Sequence, residues 1–175
     1  MKAIHVKDNP ERTLVWEDAP DPKYGPSEAL VNVQATALNR ADLLQRAGHY
    51  PPPPGASTIM GLEMAGSVAA LGSNVSGWQV GDRVCALLPG GGYAEQVAVP
   101  HEMLMPIPKS WSYQEAAALP EVFLTVFVNF YIEAELHPGE TVLVHGGASG
   151  VGTAAIQMAQ ITRNPIIVTA STDLK

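Results

Sequence analysis

The chain is predicted to begin as a β-rich, partly open barrel and to end in a β-α-β unit of an α/β fold. Three observations carry this. Short strand candidates punctuated by turn signals recur up to Ile107. A helix-start pattern at Ser112-Tyr113-Gln114-Glu115 then replaces the strand pattern. After Gly139 an apolar run, a glycine-rich loop, a helical stretch and a second apolar run follow in that order.

Met1–Val6 and Leu14–Glu17 form the first hairpin candidate, followed by a loop carrying Pro20, Pro22, Gly25 and Pro26. Ala29 to Val33 alternates apolar and polar residues, the period of a half-buried strand. Ser67–Leu71, Arg83–Leu87, Ala94–Val99 and Met105–Ile107 are further strands, separated by Gly72-Ser73-Asn74, Gly81-Asp82 and Pro89-Gly90-Gly91-Gly92. The capping box opens a helix over Glu115–Leu119, and Pro120 restarts it through Phe123, Val126, Phe127 and Phe130. Thr141–His145 is a short apolar strand, and a helix runs from the glycine loop to about Ile161. Asn164 can take the left-handed helix-stop conformation before Pro165, and Ile166–Thr169 is the closing strand. The expected boundary places one domain over residues 1–120 and the start of another over 121–175.

Composition narrows the function. The chain has 175 residues, 46% of them hydrophobic and 15% charged, enough apolar material for a packed core. Its net charge of −7 offers no basic stripe for phosphate backbones, so nucleic acid is not expected as the main partner. Sixteen glycines and 15 prolines, scattered rather than pooled, suit short strands and turns. The single cysteine, Cys85, excludes an internal disulfide framework and a multi-cysteine zinc cluster, and it reads as a small packed strand residue. With no signal-peptide pattern and no long apolar run, a cytoplasmic protein without a membrane partner is expected.

Gly150-Val151-Gly152-Thr153-Ala154-Ala155 matches G-x-G-x-x-[GA] between a strand and a helix, the context of a dinucleotide-binding turn. Gly150 is expected to permit the turn, Gly152 to admit the pyrophosphate, and Ala155 to let helix and strand pack. The helix N-terminus would present free N–H groups to the phosphates. An NAD site usually places a carboxylate about 20 residues further on, at the end of the second strand. That end reads Thr169-Ala170-Ser171-Thr172, with Asp173 in the loop beyond. Ser171, Thr172 and Lys175 can instead donate to a 2′-phosphate, so NADPH is the expected cofactor.

Ala37-Leu38-Asn39-Arg40-Ala41-Asp42 through Gly48-His49-Tyr50, Pro51–Pro54, Gly61-Leu62-Glu63-Met64-Ala65-Gly66, Pro89–Glu95 and His145–Gly152 together resemble the zeta-crystallin-like quinone oxidoreductases. These belong to the medium-chain dehydrogenase/reductase superfamily, and the likeness is strongest to the tumour-suppressor-inducible quinone oxidoreductase branch. It spans essentially the whole chain. It implies an α+β GroES-like barrel domain, then the first βαβ unit of an α/β Rossmann domain left incomplete, with the active site in the cleft between the two domains. Zinc alcohol dehydrogenases of the same superfamily carry a Cys near the present Leu38–Asn39 and Gly-His-Glu where this chain has Gly61-Leu62-Glu63. With both ligands replaced, no metal is expected.

The catalytic candidates matched to the family motif are Asn39, Tyr50 and Ser149. The Asn39 amide would donate to a quinone carbonyl or seat the nicotinamide, or else close a strand-end turn. The Tyr50 phenol would donate a hydrogen bond or proton, or stack on Pro51–Pro54. The Ser149 hydroxyl would face cofactor or substrate, or cap the helix. Thr125 matches a family threonine facing the nicotinamide, with a core-facing role equally open. The cofactor set is therefore Thr125, Ser149, Gly150, Val151, Gly152, Ser171 and Lys175. The expected activity is NADPH-dependent reduction of small planar quinones. Reduction of activated C=C bonds in enones or alkenals, and a crystallin-like NADPH-binding protein without turnover, are the alternatives. The resemblance further implies a homodimer for the longer protein, with the present chain an inactive fragment of it.

Overall fold

A computed structural model describes residues 1–172. The chain forms two compact units, one over Met1–Pro120 and one from Glu121 onward.

The first unit opens with the antiparallel hairpin β1 (Lys2–Val6) and β2 (Leu14–Asp18), in the register Lys2↔Asp18 to Val6↔Leu14. Five further strands, β3 (Glu28–Ala35), β4 (Glu63–Leu71), β5 (Arg83–Leu87), β6 (Gln96–Pro100) and β7 (Met105–Pro106), form one antiparallel sheet ordered β6-β3-β4-β5-β7. An antiparallel bridge, Ala3↔Ala94, brings the hairpin onto this sheet. The strands found are those the alternation and turn signals predict, with β3 and β4 longer, β6 shifted to start at Gln96 and β7 ending at Pro106.

Successive side chains of a strand point to opposite faces, and this sheet uses both faces. Met64 and Val68 of β4 and Val84 and Ala86 of β5 pack with Val31 and Val99 in the main core. Their neighbours Ala65 and Cys85 face the other way and pack with Ile107, Ala116 and Ala117. Cys85 is 5% exposed, and burial raises its thiol pKa, as expected of an apolar packing role. The helix α2 (Tyr113–Ala117) supplies Ala116 and Ala117 to this second core. Ser112 Oγ accepts from Glu115 N at 3.1 Å, and Glu115 accepts from Ser112 N at 2.7 Å, which is the predicted capping box. Ser112→Ala is expected to cost about 1 kcal/mol, read as a shift in the urea midpoint.

A helix with no counterpart in the sequence reading, α1 (Arg40–Arg46), lies between β3 and β4. Asn39 is its N-cap residue, and the Asp42 carboxylate accepts from Asn39 N at 2.7 Å. The signal was an Asn followed three residues later by an acid, the spacing of a capping box, and both of its contacts form.

The second unit begins with α3 (Pro120–Phe127, its first residue closing the preceding unit), which passes into a π-helical turn over Val128–Glu133. The continuous helix expected through Phe130 therefore widens at its end. The strand β8 (Val142–Val144), the helix α4 (Gly150–Thr162) and the strand β9 (Ile166–Val168) follow, with β8 and β9 parallel in the register Val142↔Ile166. Ala154, Ala155 and Ala159 of α4 pack with Val126 and Phe130. Small side chains let the helix approach closely, as expected for Ala155.

One expectation at the helix end is corrected. Arg163, with φ 57°, is the left-handed stop, not Asn164. Asn164 is buried and its Nδ2 donates to the carbonyls of His137 (2.8 Å) and Glu140 (2.9 Å). Its amide NH₂ has two donors, one for each carbonyl, and so ties the turn before β8 to the end of α4.

Candidate functional site

In the second unit, the turn from β8 into α4 is shaped by its own backbone. Gly146 carries the positive φ of 74°, whereas Gly150 is the first helical residue and has no positive φ. The turn expected at Gly150 therefore sits four residues earlier. Gly152 is buried, and a Cβ there would lie 2.4 Å from Gly146 O and 2.7 Å from Gly147 Cα. Close approach at Gly152 is thus demanded first by the protein's own loop.

Thr169, just past β9, clamps that loop. Its hydroxyl accepts from Gly146 N at 3.2 Å and its carbonyl from Gly147 N at 2.9 Å, while His145 Nδ1 lies 3.2 Å from the same hydroxyl. Sequence reasoning passed over Thr169; its place at the end of the paired strand was the available signal. Thr169→Val, which keeps the shape and removes the acceptor oxygen, is expected to loosen the loop, seen as faster hydrogen exchange at Gly146.

Ser149 is the N-cap of α4, its Oγ accepting from Gly152 N at 3.0 Å, while Thr153 N bonds to Ser149 O at 2.8 Å. A hydroxyl that accepts this bond still has its proton to give. The first turn of a helix leaves N–H groups without intrahelical acceptors, here those of Gly150 and Val151. Both residues are exposed, as is Ser171 beyond β9. Thr125 is half-buried on α3, and its carbonyl accepts from Asn129 Nδ2 at 2.8 Å. Lys175 lies outside the described residues.

In the first unit, Asn39 stands in a buried polar cluster. Its Nδ2 donates to Glu63 Oε1 at 2.7 Å, across 24 residues of sequence. Glu63 and Asp42 are 1% and 2% exposed, so both carboxylates flanking Asn39 are inside the protein. Tyr93 is buried beside them and its hydroxyl donates to Ala37 O at 3.2 Å. Burial, then the neighbouring Asp42 carboxylate and the charge of Glu63, push the Tyr93 phenol far above its ordinary value. Tyr93 therefore stays protonated and serves as a fixed donor. Glu63, Asp42 and Tyr93 were absent from the sequence-derived candidates. Tyr50 stands at the edge of the proline loop, 47% exposed.

Backbone contact holds this cluster. Gly61 has φ 101°, and a Cβ there would meet Tyr93 N at 2.5 Å. Gly92 sits equally close to Glu63 O, at 2.7 Å from its would-be Cβ. Tyr93 and Glu63 are neighbours because two glycines let two backbones touch.

Among the described residues, no group of three His, Cys, Asp or Glu is placed to hold a metal ion, and no helix is long and apolar enough to cross a membrane.

The profile of the alcohol dehydrogenase GroES-like domain matches residues 25–109. The human synaptic vesicle membrane protein VAT-1 homolog-like is 40% identical over 154 residues, covering 87% of this chain and 36% of that protein. Among solved structures, the CurK enoyl reductase superposes with a TM-score of 0.88 at 34% identity, covering 97% of this chain and 54% of that one. The quinone oxidoreductase of Thermus thermophilus, solved alone and with NADPH, gives a TM-score of 0.82 at 37% identity, covering 99% and 55%. The chain thus spans about half the length of these solved relatives and about a third of the VAT-1 homolog-like protein. A GroES-like barrel followed by the first βαβ unit of a Rossmann fold places the chain in the medium-chain dehydrogenase/reductase superfamily, among its quinone-oxidoreductase-like members.

Proposed function

We propose that this chain supplies the phosphate-binding loop and the acceptor-polarising side chains of a zinc-independent, NADPH-dependent quinone reductase. The observation that carries the reading is the loop Gly146–Gly152 between β8 and α4, which leaves the N–H groups of Gly150 and Val151 and the Ser149 hydroxyl proton available to a phosphate. A second support is the likeness to a quinone oxidoreductase solved with NADPH.

When bound, NADPH supplies the hydride; the protein's part is binding, orientation and electrostatics. Gly150, Val151 and Ser149 would hold the pyrophosphate. Thr125 would contact the nicotinamide. Ser171 and Lys175 receive the 2′-phosphate, since Ala170 offers no carboxylate to a ribose 2′-hydroxyl. Lys175→Ala is expected to weaken NADPH binding far more than NADH binding, and equal losses in the two titrations would remove the 2′-phosphate role.

With the zinc ligands of the alcohol dehydrogenases replaced, polarisation of the acceptor oxygen falls to hydrogen-bond donors. Asn39 keeps one amide proton after its bond to Glu63 and gives it to the acceptor carbonyl or the nicotinamide. Tyr50, exposed, gives its phenol proton. Tyr50→Phe is expected to lower kcat and kcat/KM together while NADPH still binds, whereas Ser149→Ala, which removes the helix cap and a phosphate donor, is expected to weaken NADPH binding as well. Dialysis against a strong chelator is expected to leave activity unchanged; loss of activity with release of stoichiometric zinc would refute the metal-free reading.

A second reading, reduction of the activated C=C bond of enones, is favoured by the likeness to the CurK enoyl reductase. The same donors would polarise an enone carbonyl. Following NADPH oxidation with a quinone and with an enone separates the two readings, and tight NADPH binding without turnover of either would indicate a binding protein.

A further inference from the structure

We propose that Glu63 is a positioning residue for this reaction: its buried carboxylate sets which way the Asn39 side-chain amide faces. The proposal rests on the reductase reading, in which Asn39 touches the acceptor or the nicotinamide.

An asparagine side chain has two faces of similar shape and opposite chemistry, an NH₂ and a carbonyl oxygen. A carboxylate is acceptor-only, so it welcomes Nδ2 and repels Oδ1. Glu63 Oε1 accepts from Asn39 Nδ2 at 2.7 Å, the short distance of a charge-assisted bond. This commits one amide proton to Glu63 and leaves Asn39 one N–H to give, its side chain also closing the capping box with the Asp42 backbone. The flipped amide would set two acceptors against each other in a site where Glu63 is 1% exposed and water cannot screen them.

Glu63 is itself held. It opens β4, where it pairs with Leu87 of β5, and its carbonyl accepts from Thr36 Oγ1 at 2.7 Å. The backbone of Asn39 is anchored separately, through its N–H to Asp42 Oδ2 at 2.7 Å. Thus Asp42 sets where Asn39 sits, and Glu63 sets how its amide is turned. A buried charge retained beside an exposed-facing site is costly, and orienting a reacting contact is a reason to keep it.

The test compares Glu63→Met, Glu63→Gln, Asn39→Ala and the Asn39→Ala/Glu63→Met double variant with the unsubstituted protein. The readouts are steady-state NADPH oxidation with a quinone, NADPH titration, and the amide-nitrogen NMR resonances of Asn39. Glu63→Met keeps the shape and removes the acceptor; kcat is expected to fall up to about 100-fold while the NADPH dissociation constant changes little. Glu63→Gln, which keeps an acceptor oxygen, is expected to recover most of that loss. The double variant is expected to be no slower than Asn39→Ala alone, because the two residues act through one contact. Losses that add in full, an unchanged kcat in Glu63→Met, or no effect of Asn39→Ala would each overturn the proposal. The resonances separate its failure from that of the reductase reading. Without turnover in the unsubstituted full-length reductase the reductase reading fails, while a downfield Asn39 amide proton lost in Glu63→Met and kept in Glu63→Gln would still show Glu63 orienting the amide. A resonance unmoved by Glu63→Met would overturn that as well.

Discussion

Gly152→Val is expected to weaken NADPH binding by at least about 100-fold, roughly 2.7 kcal/mol, in an equilibrium titration of the purified protein. The Cβ alone would stand 2.4 Å from Gly146 O and 2.7 Å from Gly147 Cα, and both obstacles are backbone. The loop must move to admit it. That movement breaks the bonds from Gly146 N and Gly147 N to Thr169 and tilts the Ser149 cap, so the N–H groups proposed to meet a phosphate lose their aim. Gly150→Ala is the comparison within the same motif. Its nearest atom would be Val122 Cγ1 at 3.1 Å, a side chain that can shift, and its backbone has no positive φ. A much smaller loss is expected there. Equal losses at the two positions would mean that ligand contact, not loop shape, explains both glycines.

Gly61→Ala is expected to destabilise the first unit by about 3 kcal/mol or more, measured by urea unfolding followed at the tryptophans. Two penalties coincide: the residue sits at φ 101°, and the new methyl would lie 2.5 Å from Tyr93 N and 2.7 Å from Gly92 C. Gly77→Ala separates them. It has φ 81° with nothing within 4 Å, so only the backbone strain applies, about 1 kcal/mol. A Gly61→Ala cost no larger than that of Gly77→Ala would show that the contact between the two glycine-bearing segments yields easily. Partial recovery in folded protein should still leave Tyr93 and Glu63 displaced, lowering turnover as well as stability.

Much of the fold was legible because it is written in local period. Strand alternation placed β3, the flanking turn signals placed β5, the Ser112–Glu115 pair placed the start of α2, and the apolar run, glycine loop and helix around Gly150 placed the βαβ unit. Each of these is decided within a few residues by backbone sterics and by which face must leave water. The helix α1 was written there too, in Asn39 and Asp42, but seven residues carry too little period to stand out against a strand end.

The site divides along the same line. The G-x-G-x-x-[GA] pattern picked out Gly150 and Gly152 by its own chemistry, while Asn39, Tyr50 and Ser149 came from the family likeness. Only the tertiary structure brought Glu63 to Asn39 across 24 residues, set Tyr93 over Ala37 across 56, and closed Thr169 on Gly146 across 23. It also moved the left-handed turn from Gly150 to Gly146 and the helix stop from Asn164 to Arg163. The reason is physical. A residue's conformation is chosen largely by its neighbours in the chain, whereas the partner of a buried amide or carboxylate is whichever group the packing of distant strands leaves within about 3 Å of it, and burial then forces the pair to form.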